Sequence, residues 1–151
     1  MMQMKDIGAL LKVLRAAGNA AVTAGGVGDD TAVAGAIIDR AEIGMPQSGV
    51  LAIPFTATLA EGETLSVAYA VEEGEESDLS DAVTLVTETV VAATGPTGGG
   101  TVTGCLEIDV KLRACGRYVR LGYTPDLSAS GTDTAALSAV LVCGGMDRLP
   151  Q

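Results

Sequence analysis

Residues 104–112, GCLEIDVKL, alternate apolar and polar side chains with unusual regularity. Leu106 and Ile108 fall on one face of an extended chain, and Glu107 and Asp109 fall on the other. An alternation with a period of two is typical of a β-strand that buries one face. The stretch therefore predicts a strand, and its pattern can be followed outward along the chain.

Similar alternation recurs in several other segments of the sequence. The clearest are VLAIPFTATL (50–59), ETLSVAYAV (63–71), RYVRLGY (117–123) and AALSAVLVCG (135–144), with AIIDRAEI (36–43) and DAVTLVTETVVAA (81–93) as two further strands. No long helical pattern separates these segments. The sequence therefore predicts an all-β fold, an antiparallel β-sandwich of about seven to eight strands.

Three details refine the predicted arrangement of strands. Pro54 cannot donate a backbone hydrogen bond, which indicates an edge strand or a bulge. RACGR (113–117) lies between two predicted strands and is typical of a tight hairpin turn. The segment 135–144 is apolar on both faces, which favours a central strand or one whose second face is covered by a partner.

The N-terminal part of the chain has a different period. Four apolar residues recur there at helical spacing: Ile7, Leu10, Leu11 and Leu14. This spacing predicts a helix over residues 4–17, ending near Gly18. We expect residues 1–30 to form this helix or an arm, with a flexible linker, and residues 31–151 to form the sandwich domain. The helix could pack on the sandwich or dock on a partner, and the sequence favours neither.

The charge distribution bears on possible partners. The formal net charge is −10, and the segment from Ala41 to Val110 contains twelve acidic residues and no Lys or Arg. Such an acidic body repels phosphate backbones, so we expect no nucleic-acid partner. The sequence shows neither a signal peptide nor a stretch of transmembrane length, so we expect no membrane partner and a protein made in the cytoplasm with reduced cysteines.

The sequence offers little for catalysis or metal binding. It contains no His, which removes the usual general base. Cys115, between Arg113 and Arg117, is the best candidate nucleophile, yet no base stands near it in the sequence. The acidic stretch 72–81 lacks the ligand order of a calcium-binding EF-hand loop. We therefore expect no enzymatic activity, no cofactor and no metal site.

The candidate functional residues are those of a protein interface. They are Leu10, Leu11 and Leu14 in the N-terminal segment, Arg117, Tyr118 and Arg120 in one strand, and Val140 and Val142 in the last strand. The arginines are expected to pair with Glu107 or Asp109, or to contact an acidic patch on a partner. Tyr118 is the one candidate for a sugar-stacking platform, so a glycan or host-surface recognition module is an alternative interpretation.

Two long stretches resemble a known family. LAEGETLSVAYAVEEGEESDLSDAVTL (59–85) and CGRYVRLGYTPDLSASGTDTAALSAVLVCGG (115–145) are similar to the small β-sandwich head proteins of tailed bacteriophages, known as capsid decoration, cement or head-stabilisation proteins. The resemblance extends over roughly residues 35–145. Relatives often carry a Gly-Ser-Thr-aromatic turn where this chain has GEESDLSD (74–81), which has no aromatic residue.

This resemblance implies a function in virus assembly. Such a protein is made in the cytoplasm of the host bacterium and binds the outer surface of the icosahedral capsid. There it stabilises contacts between major capsid protein subunits. It also implies a homo-oligomer, commonly a trimer, for which the apolar strand at residues 135–143 could serve as the contact. Another virion component, such as a tail-tube or connector subunit, is an alternative.

Overall fold

The computed structural model describes residues 6–129 and 131–147. Within these ranges lie eight β-strands and two short 3-10 helices, Ile7–Ala9 and Leu112–Ala114. The strands are β1 (Lys12–Thr23), β2 (Ile38–Asp39), β3 (Pro46–Leu59), β4 (Thr64–Gly74), β5 (Val83–Thr94), β6 (Gly100–Val110), β7 (Tyr118–Leu127) and β8 (Thr134–Met146). In the described ranges, no helix is long and apolar enough to cross a membrane.

The strands form two four-stranded antiparallel sheets. Sheet A has the order β1-β8-β3-β6, and sheet B has the order β2-β7-β4-β5. The chain changes sheet at every connection except the one between β4 and β5. This order is that of an eight-stranded jelly roll, the two-sheet form built from Greek keys. The predicted antiparallel sandwich of seven to eight strands is confirmed.

The core lies between the two sheets and is built from the residues that alternate inward. Leu51 and Ile53 of β3 in sheet A, and Leu65 and Val67 of β4 in sheet B, belong to this core, and all four are almost completely buried. Burying a side chain of this size contributes about 1.5–3 kcal/mol. The chain lacks Trp, so aliphatic side chains supply most of this core.

The two sides of the sandwich differ in how they are closed. Beside β1, isolated backbone bridges join Ala17 to Gly35 and Val33 to Tyr123, so residues 33–35 connect sheet A with sheet B. Gly35 is required there, because a Cβ at this position would stand 1.9 Å from the carbonyl oxygen of Leu121. On the opposite side, β5 and β6 are the edge strands of their sheets and leave the sandwich open.

The helix predicted over residues 4–17 is wrong for residues 6–17, and residues 4 and 5 lie outside the described ranges. One turn of 3-10 helix covers Ile7–Ala9, and the chain then enters β1, which pairs with β8 from Lys12 to Thr23. The physical reason is tertiary pairing. Backbone hydrogen bonds between β1 and β8, and burial of Ala16, Ala17 and Val22 in the core, override a weak helical preference. Residues 12–23 consequently belong to the sandwich.

Three further local predictions need correction. RACGR does not form a hairpin, because β6 lies in sheet A and β7 in sheet B, and the chain crosses between them through the 3-10 helix Leu112–Ala114. Pro54 lies in β3, a central strand, and the register with β8 has no pair at Ile53 or Pro54. The segment 36–43 contributes only the two residues of β2.

Candidate functional site

The predicted arginine site lies on sheet B, and its charges are paired within the chain. Arg117 donates from Nε to Asp39 Oδ1 at 3.0 Å and from Nη2 to Asp39 Oδ2 at 2.7 Å. These hydrogen bonds lower the pKa of Asp39 and raise that of Arg117. Arg120 donates from Nε to Glu72 Oε2 at 2.7 Å across the β7–β4 register. Both arginines are therefore paired within the chain, with Asp39 and Glu72.

The partners of the arginines differ from those expected. Glu107 and Asp109 lie on β6 in sheet A, whereas Arg120 lies on β7 in sheet B and Arg117 directly precedes that strand. Tyr118 is half-buried, and the Arg117 guanidinium carbon lies 5.1 Å from the centre of its ring. That cation–π contact occupies a face that a sugar ring would need. Arg120 also borders an open pocket of about 330 Å³ whose floor includes Ala68 and Gly122.

The predicted apolar residues of the last strand lie on the outer face of sheet A. Val140 and Val142 are half-buried, and they alternate along β8 with buried Leu141 and Cys143. β8 is indeed a central strand, between β1 and β3. Its outer side chains therefore have strand neighbours on both sides.

The three leucines of the N-terminal segment do not form one surface. Leu14 pairs with Leu141 in the β1–β8 register and packs against the core. Leu11 borders the same shallow depression on sheet A as Val142. Leu10 is 37% exposed and ends the short 3-10 helix. The structure thus brings Leu11 next to the outer face of sheet A and removes Leu14 from the set of interface candidates.

The longest apolar surface that sequence reasoning missed is β5. Its residues from Val83 to Val91 are exposed on both faces of the strand, although it is a regular partner of β4. Five large hydrophobic residues are exposed: Val83, Leu85, Val86, Val90 and Val91. None of its residues is Lys or Arg, the side chains that commonly protect exposed sheet edges. The sequence signal for this surface is the number of apolar residues in the predicted strand 81–93, which fall on both of its faces.

β5 and β6 border a groove of about 660 Å³ at the open side of the sandwich. Val86 and Val90 line one wall, and Ile108 lines the other. At its base the Tyr69 hydroxyl donates to Glu88 Oε2 at 2.7 Å. The pKa of Tyr69 is raised, chiefly by burial and further by Glu88, so the hydroxyl stays protonated. Most residues that line the groove are apolar, and Glu88, Glu107, Asp109 and Lys111 add charged groups to its lining.

The cysteines are poorly placed for nucleophilic chemistry. Burial raises the pKa of the Cys115 thiol, and it raises that of Cys143 to about 11. A raised pKa lowers the fraction of reactive thiolate at neutral pH. In residues 6–129 and 131–147, no group of three or more Cys, Asp or Glu side chains is arranged to hold a metal ion.

Sequence reasoning also missed a buried arginine, Arg40, which is 3% exposed. Its guanidinium donates to the carbonyl oxygens of Cys115, Gly116 and Pro46, so it joins the segment after β2 to the crossing before β7 and to the start of β3. Its role is to hold three connections together at one end of the sandwich.

Of the comparisons with known proteins, only the one with solved structures finds chains similar to this one. No protein-family model matches the sequence, and no curated protein matches it. A chain in the structure of infectious bursal disease virus, Gx strain, is similar at 13% identity and a TM-score of 0.48, over 90% of this chain and 32% of that one. A chain of the Gt strain is similar at 13% identity and a TM-score of 0.41, over 93% and 34%. This protein thus spans about a third of the length of those chains.

Proposed function

We propose that this protein is a virion structural protein that binds the outer surface of an icosahedral capsid and stabilises contacts between major capsid protein subunits. It belongs, on this proposal, with the decoration proteins of tailed bacteriophages, and it is made in the cytoplasm of the host bacterium. Its partner is the major capsid protein of the same virus.

The observation that carries the proposal is the exposed β5 edge. An unprotected edge strand with five exposed hydrophobic residues is a surface that isolated soluble domains tend to avoid, because it can pair with another chain. The jelly-roll order of strands is found in viral capsid domains, and this supports the proposal without deciding it, because lectin domains share the fold.

The surface chemistry also favours binding to a repeating lattice. A small contact at β5 gives a weak single interaction, but many identical copies on a shell, or oligomers that bind several sites at once, gain avidity. The acidic loop after β4 is exposed, and its carboxylates are held by backbone amides: Asp81 accepts from Glu75 N and Glu76 N. Such a charged exterior keeps decorated particles from associating with one another.

The proposal is tested by measuring the binding of β5 variants to undecorated, expanded capsids of the parent virus. Val91→Lys introduces a charge on the exposed edge, where Val91 is 58% exposed. Val27→Lys introduces the same charge in a turn remote from β5, where Val27 is 81% exposed. We expect Val91→Lys to weaken binding at least about tenfold and Val27→Lys to leave it unchanged. Equal binding by both variants would refute β5 as the contact.

A further inference from the structure

The outer face of sheet A carries an ordered pattern of charge. Two rows of paired residues cross all four strands from β1 to β6. The first row is Arg15, Val140, Ala52 and Glu107, and the second is Val13, Val142, Val50 and Asp109. Each row is apolar on the two central strands and acidic on β6, and the first row is basic on β1.

The charges in these rows form no ion pair among the residues that the structure describes. The ion pairs found there are those of Arg117 with Asp39 and of Arg120 with Glu72. Arg15 is exposed, and it donates to the carbonyl oxygen of Ala17 and to Asn19 Oδ1, both on its own strand. Charges that stay unpaired beside an exposed apolar strip are available to a partner.

This pattern is complementary to itself under one symmetry operation. Consider a two-fold axis parallel to the strands, running between β8 and β3 just outside the sheet. It places β1 of one copy over β6 of the other, and β8 over β3. Arg15 then faces Glu107 of the second copy, while Val142 faces Val50 and Val140 faces Ala52.

The dimensions suit this arrangement. The row from β1 to β6 spans three strand spacings, about 14 Å, and two sheets that pack face to face lie about 10 Å apart. Val13, which is 61% exposed on the edge strand, would be covered by β6 of the second copy. The contact is isologous, with the same patch used on both copies.

We propose that the outer face of sheet A is the interface of a two-fold symmetric dimer of this chain, held by the Val-rich centre and by two equivalent Arg15–Glu107 ion pairs between copies. The dimer stands independently of the capsid proposal, because it leaves β5 free and forms in the purified protein.

Charge reversal tests this interface in solution. The purified full chain is examined by analytical ultracentrifugation over a wide concentration range, at low and at moderate salt. Arg15→Glu and Glu107→Arg each place like charges opposite one another, and each should raise the dimer dissociation constant at least about tenfold. The double variant Arg15→Glu/Glu107→Arg restores the pairs and should return the constant to within about threefold of the unchanged protein.

The controls separate this contact from general charge effects. The two single variants change the net charge in opposite directions, so a net-charge effect cannot weaken both. Glu76→Arg, in the exposed loop after β4, matches Glu107→Arg in charge and should leave the dimer unchanged. Circular dichroism checks that each variant is folded.

Three results would overturn the proposal. These are a monomer at every concentration at low salt, a trimer or larger assembly, and a dimer that the single variants do not weaken or the double variant does not restore. A salt-sensitive dimer with rescue by the double variant supports it, whether or not the protein binds capsids.

Discussion

Replacing Arg40 with Met should destabilise the protein by about 2–4 kcal/mol. The guanidinium donates to three carbonyl oxygens, those of Cys115, Gly116 and Pro46, and hydrogen bonds to a charged group contribute about 1.5–3 kcal/mol each. The loss of these three hydrogen bonds amounts to about 4–9 kcal/mol. It is partly offset because the variant no longer buries a charged group, whose Nε has no hydrogen-bond partner among the described residues. The net loss is a large part of a typical stability of about 5–15 kcal/mol.

The assay is urea unfolding followed by circular dichroism, with the free energy of unfolding extrapolated to water. Arg113→Met removes an equal charge from an exposed position and should change this free energy by less than about 0.5 kcal/mol. A loss below about 1 kcal/mol for Arg40→Met would refute the reasoning, because the three carbonyls would then not depend on Arg40.

Three further predictions concern stability and thiol chemistry. Arg117 lowers the pKa of Asp39, so the pair stabilises the fold above the unfolded pKa of about 3.9, and this contribution disappears as pH falls through the lowered folded pKa. Asp39→Asn should therefore cost up to about 1 kcal/mol at pH 7 in urea unfolding, and this cost should shrink as the pH falls below about 3.9. A cost that does not change with pH would contradict this. Cys105 is exposed, whereas Cys143 is buried and its thiol has a pKa of about 11. A thiol reagent at pH 8 should therefore label Cys105 rapidly and Cys143 only after unfolding. Mass spectrometry after short labelling measures which of the two cysteines has reacted. Leu141→Ala should lower the free energy of unfolding by about 2–5 kcal/mol, because Leu141 is fully buried between the sheets. A loss under about 1 kcal/mol would contradict this and would show that the core collapses into the cavity left by the leucine side chain.

The strands could be predicted because inward positions are uniformly apolar. In β4 and β7 the alternation of Leu65, Val67, Leu121 and Tyr123 with smaller or polar residues matches their burial. An alternation of this kind fixes which face of a strand is buried, whatever strand lies beside it. That is why the sandwich class followed from the sequence.

The neighbours of each strand could not be predicted in this way. RACGR has the composition of a hairpin turn, but the chain there crosses between sheets, and only long-range pairing of β6 with β3 and β7 with β4 decides this. The partners of Arg117 and Arg120 depend on the same pairing. Local composition contains no information about the register between distant strands. Asp39 and Glu72 could therefore not be predicted as the partners of Arg117 and Arg120.

The faces of the candidate residues could be predicted only in part. Val140 and Val142 lie on an outward apolar face, as the two-sided pattern of the last strand indicated. Leu14 lies in β1 and packs against the core, because the pairing of β1 with β8 replaces the helix that the spacing of the apolar residues predicted. The exposure of β5 depends on its place at the edge of sheet B, which is a property of the whole fold.

Binding to a capsid is tested by co-sedimentation of the unmodified protein with undecorated, expanded capsids of its parent virus. We expect saturable binding at a fixed ratio to the major capsid protein, with particles that resist heating or dilution better than bare shells. A protein that stays in the supernatant at every concentration and salt, or that assembles alone into tubes or rings, would contradict it.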